Sequence, residues 1–96
     1  MKNIPESLLS TSALLTESFP NGITQDEYKA LIFILYEHMS DRNLSEVLSF
    51  FVDKDKIVIS NDIPKHCTGQ GLQLEMIKNV QENLNRHGFQ EWIDED

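Results

Sequence analysis

The sequence is poor in cysteine and has no long apolar run. Its single cysteine, Cys67, excludes an intrachain disulfide and fits a protein kept in a reducing compartment. The longest apolar run, at residues 30–36, falls far short of the ~20 residues that a membrane-spanning helix needs. The first residues lack the unbroken apolar stretch of a signal peptide. We therefore expect a cytoplasmic protein that does not insert into membranes.

Basic residues are also scarce. Eight Lys and Arg stand against sixteen Asp and Glu, which gives a formal net charge of −8. The basic residues are scattered singly, whereas nucleic-acid binding needs a cluster of them, so we expect no nucleic-acid binding. Half of the net negative charge comes from Glu91, Asp94, Glu95 and Asp96 at the end of the chain. This acidic end is typical either of a solvated tail or of a contact for a partner with a basic surface.

Patterns for catalysis and metal binding are missing as well. His66 precedes Cys67 directly, but neighbours on a helix point about 100 degrees apart, so adjacency does not build a catalytic pair. His38, His66 and His87 are widely separated and show none of the paired spacings of metal ligands. The sequence therefore predicts no enzyme activity, no metal site and no cofactor.

What the sequence does contain is a series of helix signals. Pro20 and Asn21-Gly22 form a chain break, and Thr24 followed by Glu27 predicts a capping box at the next helix start. Apolar residues recur at helical spacing in four segments, which predicts helices over residues 5–18, 25–39, 41–52 and 72–87. A shorter helix is expected over residues 61–67, capped by Ser60, after an extended and buried connector at residues 56–60.

These elements predict an all-α fold, a compact bundle of four to five helices with short connections. The second helix is apolar on more than one face, which indicates that it is the most buried element. The inner stripe of the last long helix is predicted to contain Leu74, Ile77, Val80, Gln81 and Leu84. Gly88 is placed to stop that helix in a left-handed conformation. Residues 1–93 are expected to form one domain, and residues 94–96 a frayed acidic tail.

The order of these signals resembles a known family. Phe-Pro-Asn-Gly-Ile at residues 19–23 precedes an aliphatic helix, and a Ser-capped helix begins at Ser40-Asp41. Asp62-Ile63 then lies in a short segment that ends in a Thr-containing loop, and Gly88 with a following aromatic closes the last helix. This order resembles the small bacterial proteins of the domain-of-unknown-function family 3349 over most of the chain. The sequence departs from the family pattern at Thr24, where Pro is common, and at Phe89-Gln90, where Trp-Pro is common. The resemblance implies an all-helical bundle and brings no catalytic residues with it.

The aromatic residues near the C-terminus form the candidate contact surface. Its predicted members are Phe89, Glu91, Trp92, Asp94, Glu95 and Asp96. Two interpretations of Trp92 are open: it caps the core, or it is an exposed anchor among carboxylates, as in many binding hot spots. We expect a non-enzymatic protein-interaction module, such as an inhibitor or immunity-type protein, with a basic partner. The alternative is a small-ligand-binding or regulatory subunit of an enzyme, with a pocket between the second and fifth helices.

Overall fold

A computed structural model describes residues 5–94 of the chain. These residues form a 3₁₀-helix, Glu6–Leu8, and then six α-helices, without any strand in this described range. The α-helices are α1 (Leu9–Ser18), α2 (Gln25–Leu35), α3 (Asp41–Phe51), α4 (Lys56–His66), α5 (Leu74–Arg86) and α6 (Phe89–Asp94). The predicted all-α bundle is confirmed, with α6 as a further short helix that the sequence did not predict.

Local side-chain caps set the starts of α2 and α3. The Thr24 hydroxyl accepts a hydrogen bond from the amide of Glu27 at 3.2 Å, and the Glu27 carboxylate accepts one from the amide of Thr24 at 2.8 Å. The predicted capping box is therefore present. Ser40 caps α3 by accepting a hydrogen bond from the amide of Asn43 at 3.2 Å.

Helix α2 ends at Leu35, short of the predicted residue 39. The chain then forms a turn, in which the amide of His38 donates a hydrogen bond to the carbonyl of Leu35 at 2.9 Å. This turn leaves Glu37 and His38 exposed between α2 and α3. It also brings them to the edge of the candidate site described below.

The prediction of an extended connector at residues 56–60 is wrong. These residues form the first half of α4, and their side chains follow a helical period instead of lying buried together. Ile59 and Ile63 are fully buried one turn apart, whereas Ile57 is 76% exposed and Val58 is 46% exposed. The preference of Ile and Val for strands is weak, and the packing of this buried face against α3 outweighs it.

The early start of α4 also changes the roles of two further residues. Ser60, which was expected to cap a short helix, lies in the middle of α4, and Asp55 occupies the N-terminal capping position. Pro64 lies inside the helix rather than in its first turn. It has no amide hydrogen to donate to the helix, so packing has to compensate for the missing hydrogen bond.

The core is centred on α2. Six of its eleven residues are buried: Tyr28, Ala30, Leu31, Ile32, Ile34 and Leu35. This agrees with the prediction that the second helix is the most buried one.

Along α5, Val80 and Leu84 are buried and Ile77 is partly buried, but Leu74 is 80% exposed. The prediction for Leu74 is wrong: α5 begins at this residue, and its side chain lies in solvent at the helix end.

Gly88 ends α5 with a positive φ of 96°, as predicted. Residues with a β-carbon rarely adopt this conformation, which reverses the chain direction after a helix. The amides of His87 and Gly88 donate to the carbonyls of Leu84 and Asn85 at 3.0 and 3.5 Å. The reversal allows α6 to pack on both α1 and α5.

Candidate binding surface

A hydrogen bond between distant parts of the chain holds α6 against α1. The indole nitrogen of Trp92 donates to the hydroxyl of Thr11 at 2.8 Å. Thr11 is 3% exposed, while Trp92 is half-buried. Trp92 packs against the core but is not fully buried, so its burial lies between the core cap and the exposed anchor considered from the sequence.

Three aromatic rings meet at this point. The rings of Phe89 and Trp92 stack with their centroids 5.7 Å apart and their planes inclined by 18°. The imidazole of His38 contacts both rings edge-on, at 5.7 Å from Phe89 and 6.0 Å from Trp92. The turn after α2 is therefore tied to α6, and the orientation of Trp92 is fixed from several sides.

A cleft with a volume of about 520 Å³ opens beside Trp92. One wall is formed by the 3₁₀-helix and α1, another by the turn between α2 and α3 with the start of α3, and the last by α6. Its described lining is Ser7, Leu8, Ser10, Thr11, Glu37, His38, Met39, Ser40, Asn43, Trp92 and Ile93. Among these described residues Glu37 is the single carboxylate, and none is Lys or Arg.

A shallower groove of about 300 Å³ lies on the other side of Trp92, between α1 and the start of α6. Glu17 and Glu91 line this groove together with His87. Ser10 and Trp92 line both depressions, so Trp92 forms the ridge between them. Carboxylates consequently lie on both sides of the half-buried indole.

The whole surface has a one-sided charge. The 3₁₀-helix, α1 and α6 contain Glu6, Glu17, Glu91 and Asp94, and their described residues include neither Lys nor Arg. Carboxylates near a low-dielectric wall attract cations from solution. This surface is therefore suited chemically to a cationic ligand or partner.

The predicted contact residues occupy different places on this surface. Glu91 and Asp94 are exposed, Trp92 is half-buried, and Phe89 is 4% exposed and supports Trp92 from below. Glu95 and Asp96 lie outside the described residues.

Sequence reasoning missed the residues that the tertiary structure brings beside Trp92. They are Ser7, Ser10, Thr11, Glu17, Glu37, His38 and Asn43. No spacing in the sequence connects them to the C-terminal aromatics, because they come from other helices and from the turn after α2.

A second polar cluster joins α2, α4 and the loop before α4. The hydroxyl of Tyr28 donates to Asp62 Oδ2 at 2.9 Å. Lys54 Nζ lies 3.7 Å from the same oxygen and 4.2 Å from the centre of the Tyr28 ring. Burial raises the pKa of Tyr28 above its ordinary value, and the hydrogen bond and negative charge of Asp62 act in the same direction. Tyr28 is 2% exposed, so this cluster acts as a structural tie rather than an open site.

His66 is the last residue of α4, and Cys67 occupies its C-terminal capping position. The thiol of Cys67 lies 3.9 Å from the carbonyl oxygen of Pro64. Burial lowers the pKa of the His66 imidazole, and the positive charge of Lys29 adds to this effect.

Within residues 5–94, no group of three or more His, Cys, Asp or Glu side chains is arranged to hold a metal ion. No helix in the same range is long and apolar enough to cross a membrane.

Comparison of the chain with protein-family models, with curated proteins and with solved structures finds no match. The candidate surface must therefore be interpreted from its own geometry.

Proposed function

We propose that the protein is a non-enzymatic interaction module that binds a partner with a basic surface through the surface formed by α1 and α6. One observation carries this proposal. The half-buried Trp92 forms a ridge with Glu37 on one side and Glu17 and Glu91 on the other. A fixed aromatic side chain surrounded by groups of one charge is a common composition for a binding hot spot.

The supports around Trp92 favour tight contact. Its indole is held by the hydrogen bond to Thr11 and by stacking on Phe89, so binding costs little additional side-chain entropy. The carboxylates around it act over a longer range. They steer a basic partner towards the surface and raise the association rate more than the affinity itself.

Three finer assignments belong to this proposal. An inhibitor or immunity-type role that covers a basic partner fits the small size and the net charge of −8. Membership of the domain-of-unknown-function family 3349 stays a prediction from the turn at residues 19–23 and the Gly88 stop. A cytoplasmic location stays a prediction from the single cysteine.

The test uses the intrinsic fluorescence of Trp92, the only tryptophan in the chain. A peptide of mixed Lys and Arg should change its emission saturably, and raising the salt concentration should weaken the response because exposed charges are screened. An acidic peptide of equal length should give no response.

A matched pair of variants assigns that response to the surface. Glu17→Gln/Glu91→Gln removes two carboxylates beside Trp92 and should weaken binding of the basic peptide. Glu75→Gln/Glu82→Gln makes the same charge change on exposed positions of α5 and should have a smaller effect. An equal loss in both variants, or no response to the basic peptide at all, would contradict the proposal.

The second candidate function is a small-ligand-binding or regulatory subunit, which the hydroxyl groups in the cleft favour. The cleft lies beside α6 instead of between the second and fifth helices. A neutral sugar such as glucose should then raise the melting temperature saturably, because it binds only the folded state. Substitution of Ser7, an exposed cleft residue, by Ala should reduce that shift.

A further inference from the structure

We propose that the cleft beside Trp92 receives an arginine side chain of the partner. This inference rests on the proposed function, since it names the chemical group that the basic partner inserts. The cleft, rather than the shallower groove, is assigned this role because the 3₁₀-helix, α1, the turn after α2, α3 and α6 all line it and several of its lining residues carry hydrogen-bond acceptors.

The lining of the cleft matches a guanidinium group. The hydroxyls of Ser7 and Ser10, the side-chain amide of Asn43 and the carboxylate of Glu37 all carry acceptor oxygens. A guanidinium is planar, has five N–H donors and no acceptor, and is always charged. One carboxylate with several neutral acceptors around it can thus satisfy both the charge and the donors of one arginine.

Trp92 lines the cleft together with these acceptors. Its N–H is already used by Thr11, and the exposed part of the ring borders the cleft. Arginine stacks on aromatic faces and is more weakly hydrated than lysine, so it loses less on entering a half-enclosed site. A lysine ammonium is a compact and strongly hydrated charge, for which the spread of acceptors is less useful.

The start of α3 also borders the cleft, and a helix N-terminus by itself attracts anions. Here the amide of Asn43 is already bonded to the Ser40 hydroxyl at 3.2 Å, and Asp41 lies in the first helical turn. Glu37, in the turn that forms the same wall, adds a further negative charge. No Lys or Arg appears among the described lining residues to hold an anion. The balance of charges therefore favours a cation.

The experiment compares two peptides that differ at one position, Arg in one and Lys in the other. Both are titrated against the protein at the same pH and salt concentration while Trp92 emission is followed. We expect the Arg peptide to bind about tenfold more tightly than the Lys peptide, because the planar guanidinium group can donate to several acceptors at once.

Single substitutions test whether the preference for Arg over Lys arises in the cleft. Glu37→Gln should lower the affinity for the Arg peptide by about tenfold or more, since it removes the charged acceptor of a charge-assisted hydrogen bond. Glu91→Gln makes the same charge change in the groove on the other side of Trp92. It should lower the affinity for both peptides by the same factor, and by less than Glu37→Gln lowers the affinity for the Arg peptide. Asn43→Ala is the second cleft variant and should reduce the preference for Arg over Lys. Melting curves followed by circular dichroism check that each variant is folded.

The outcomes separate this inference from the function on which it rests. Equal binding of the two peptides, with Glu37→Gln no worse than Glu91→Gln, would overturn the arginine site and leave the basic-partner function standing. Failure of both peptides to bind would overturn both proposals, and so would preferential binding of an acidic peptide.

Discussion

The hydrogen bond between Trp92 and Thr11 offers the sharpest test of how the candidate surface is built. Two conservative substitutions each remove one partner: Trp92→Phe removes the indole N–H but keeps an aromatic ring, and Thr11→Val removes the hydroxyl but keeps the side-chain shape. The double variant removes both partners. Together these variants form a cycle that isolates the energy of the contact from the effects of the individual residues.

The expected energies follow from the burial of each atom. Trp92→Phe leaves the hydroxyl of Thr11, a residue 3% exposed, without its partner at the α1–α6 contact. A buried polar group without a partner costs about 1–3 kcal/mol of stability. Thr11→Val should cost less, about 0.5–1.5 kcal/mol, because the half-buried indole can still reach water. The double variant should lose less than the sum, since no polar group is then left unpaired.

The free energy of unfolding is measured by urea denaturation followed by circular dichroism, which does not depend on the indole that is being replaced. We expect a coupling energy of about 0.5–1.5 kcal/mol between the two positions. Additive losses within about 0.3 kcal/mol would show that the contact contributes nothing, and would refute the docking of α6 on α1 described here.

Two further predictions concern the core and the buried tyrosine. Leu35→Ala should cost about 2–5 kcal/mol in urea denaturation because Leu35 is fully buried, whereas Leu74→Ala, at 80% exposure, should cost less than about 0.5 kcal/mol. Equal costs would contradict α2 as the centre of the core. The raised pKa of Tyr28 makes its contribution to stability complete below about pH 10 and progressively lost above it, because the unfolded state ionises first. Tyr28→Phe should reduce this alkaline loss in denaturation curves, and an unchanged loss would contradict the cause assigned.

The helix ends that the sequence predicted correctly depend on contacts between near neighbours. The Thr24–Glu27 capping box and the Ser40 cap each join residues three apart, and Gly88 acts through its own backbone conformation. Such signals are readable from the sequence because they need no distant partner. The apolar pattern of α2 is equally readable, since a helix that is apolar around most of its circumference has to be buried.

The errors arose where distant packing competed with weak local preferences. Residues 56–60 have the composition of a strand, yet burial of Ile59 and Ile63 against α3 makes them helical. Leu74 fits the apolar period of α5, but it is the first residue of that helix and its side chain is exposed. The sequence contains both patterns, and only the positions of the neighbouring helices decide between burial and exposure.

The candidate site belongs almost entirely to the tertiary structure. By itself the sequence determined the all-α fold, the acidic character and the aromatic C-terminal segment. It did not determine that Trp92 lies between Glu37 on one side and Glu17 and Glu91 on the other. These residues are far apart along the chain, and no local rule relates them. They meet because the turn after α2 ends that helix early and the reversal at Gly88 directs α6 back onto α1.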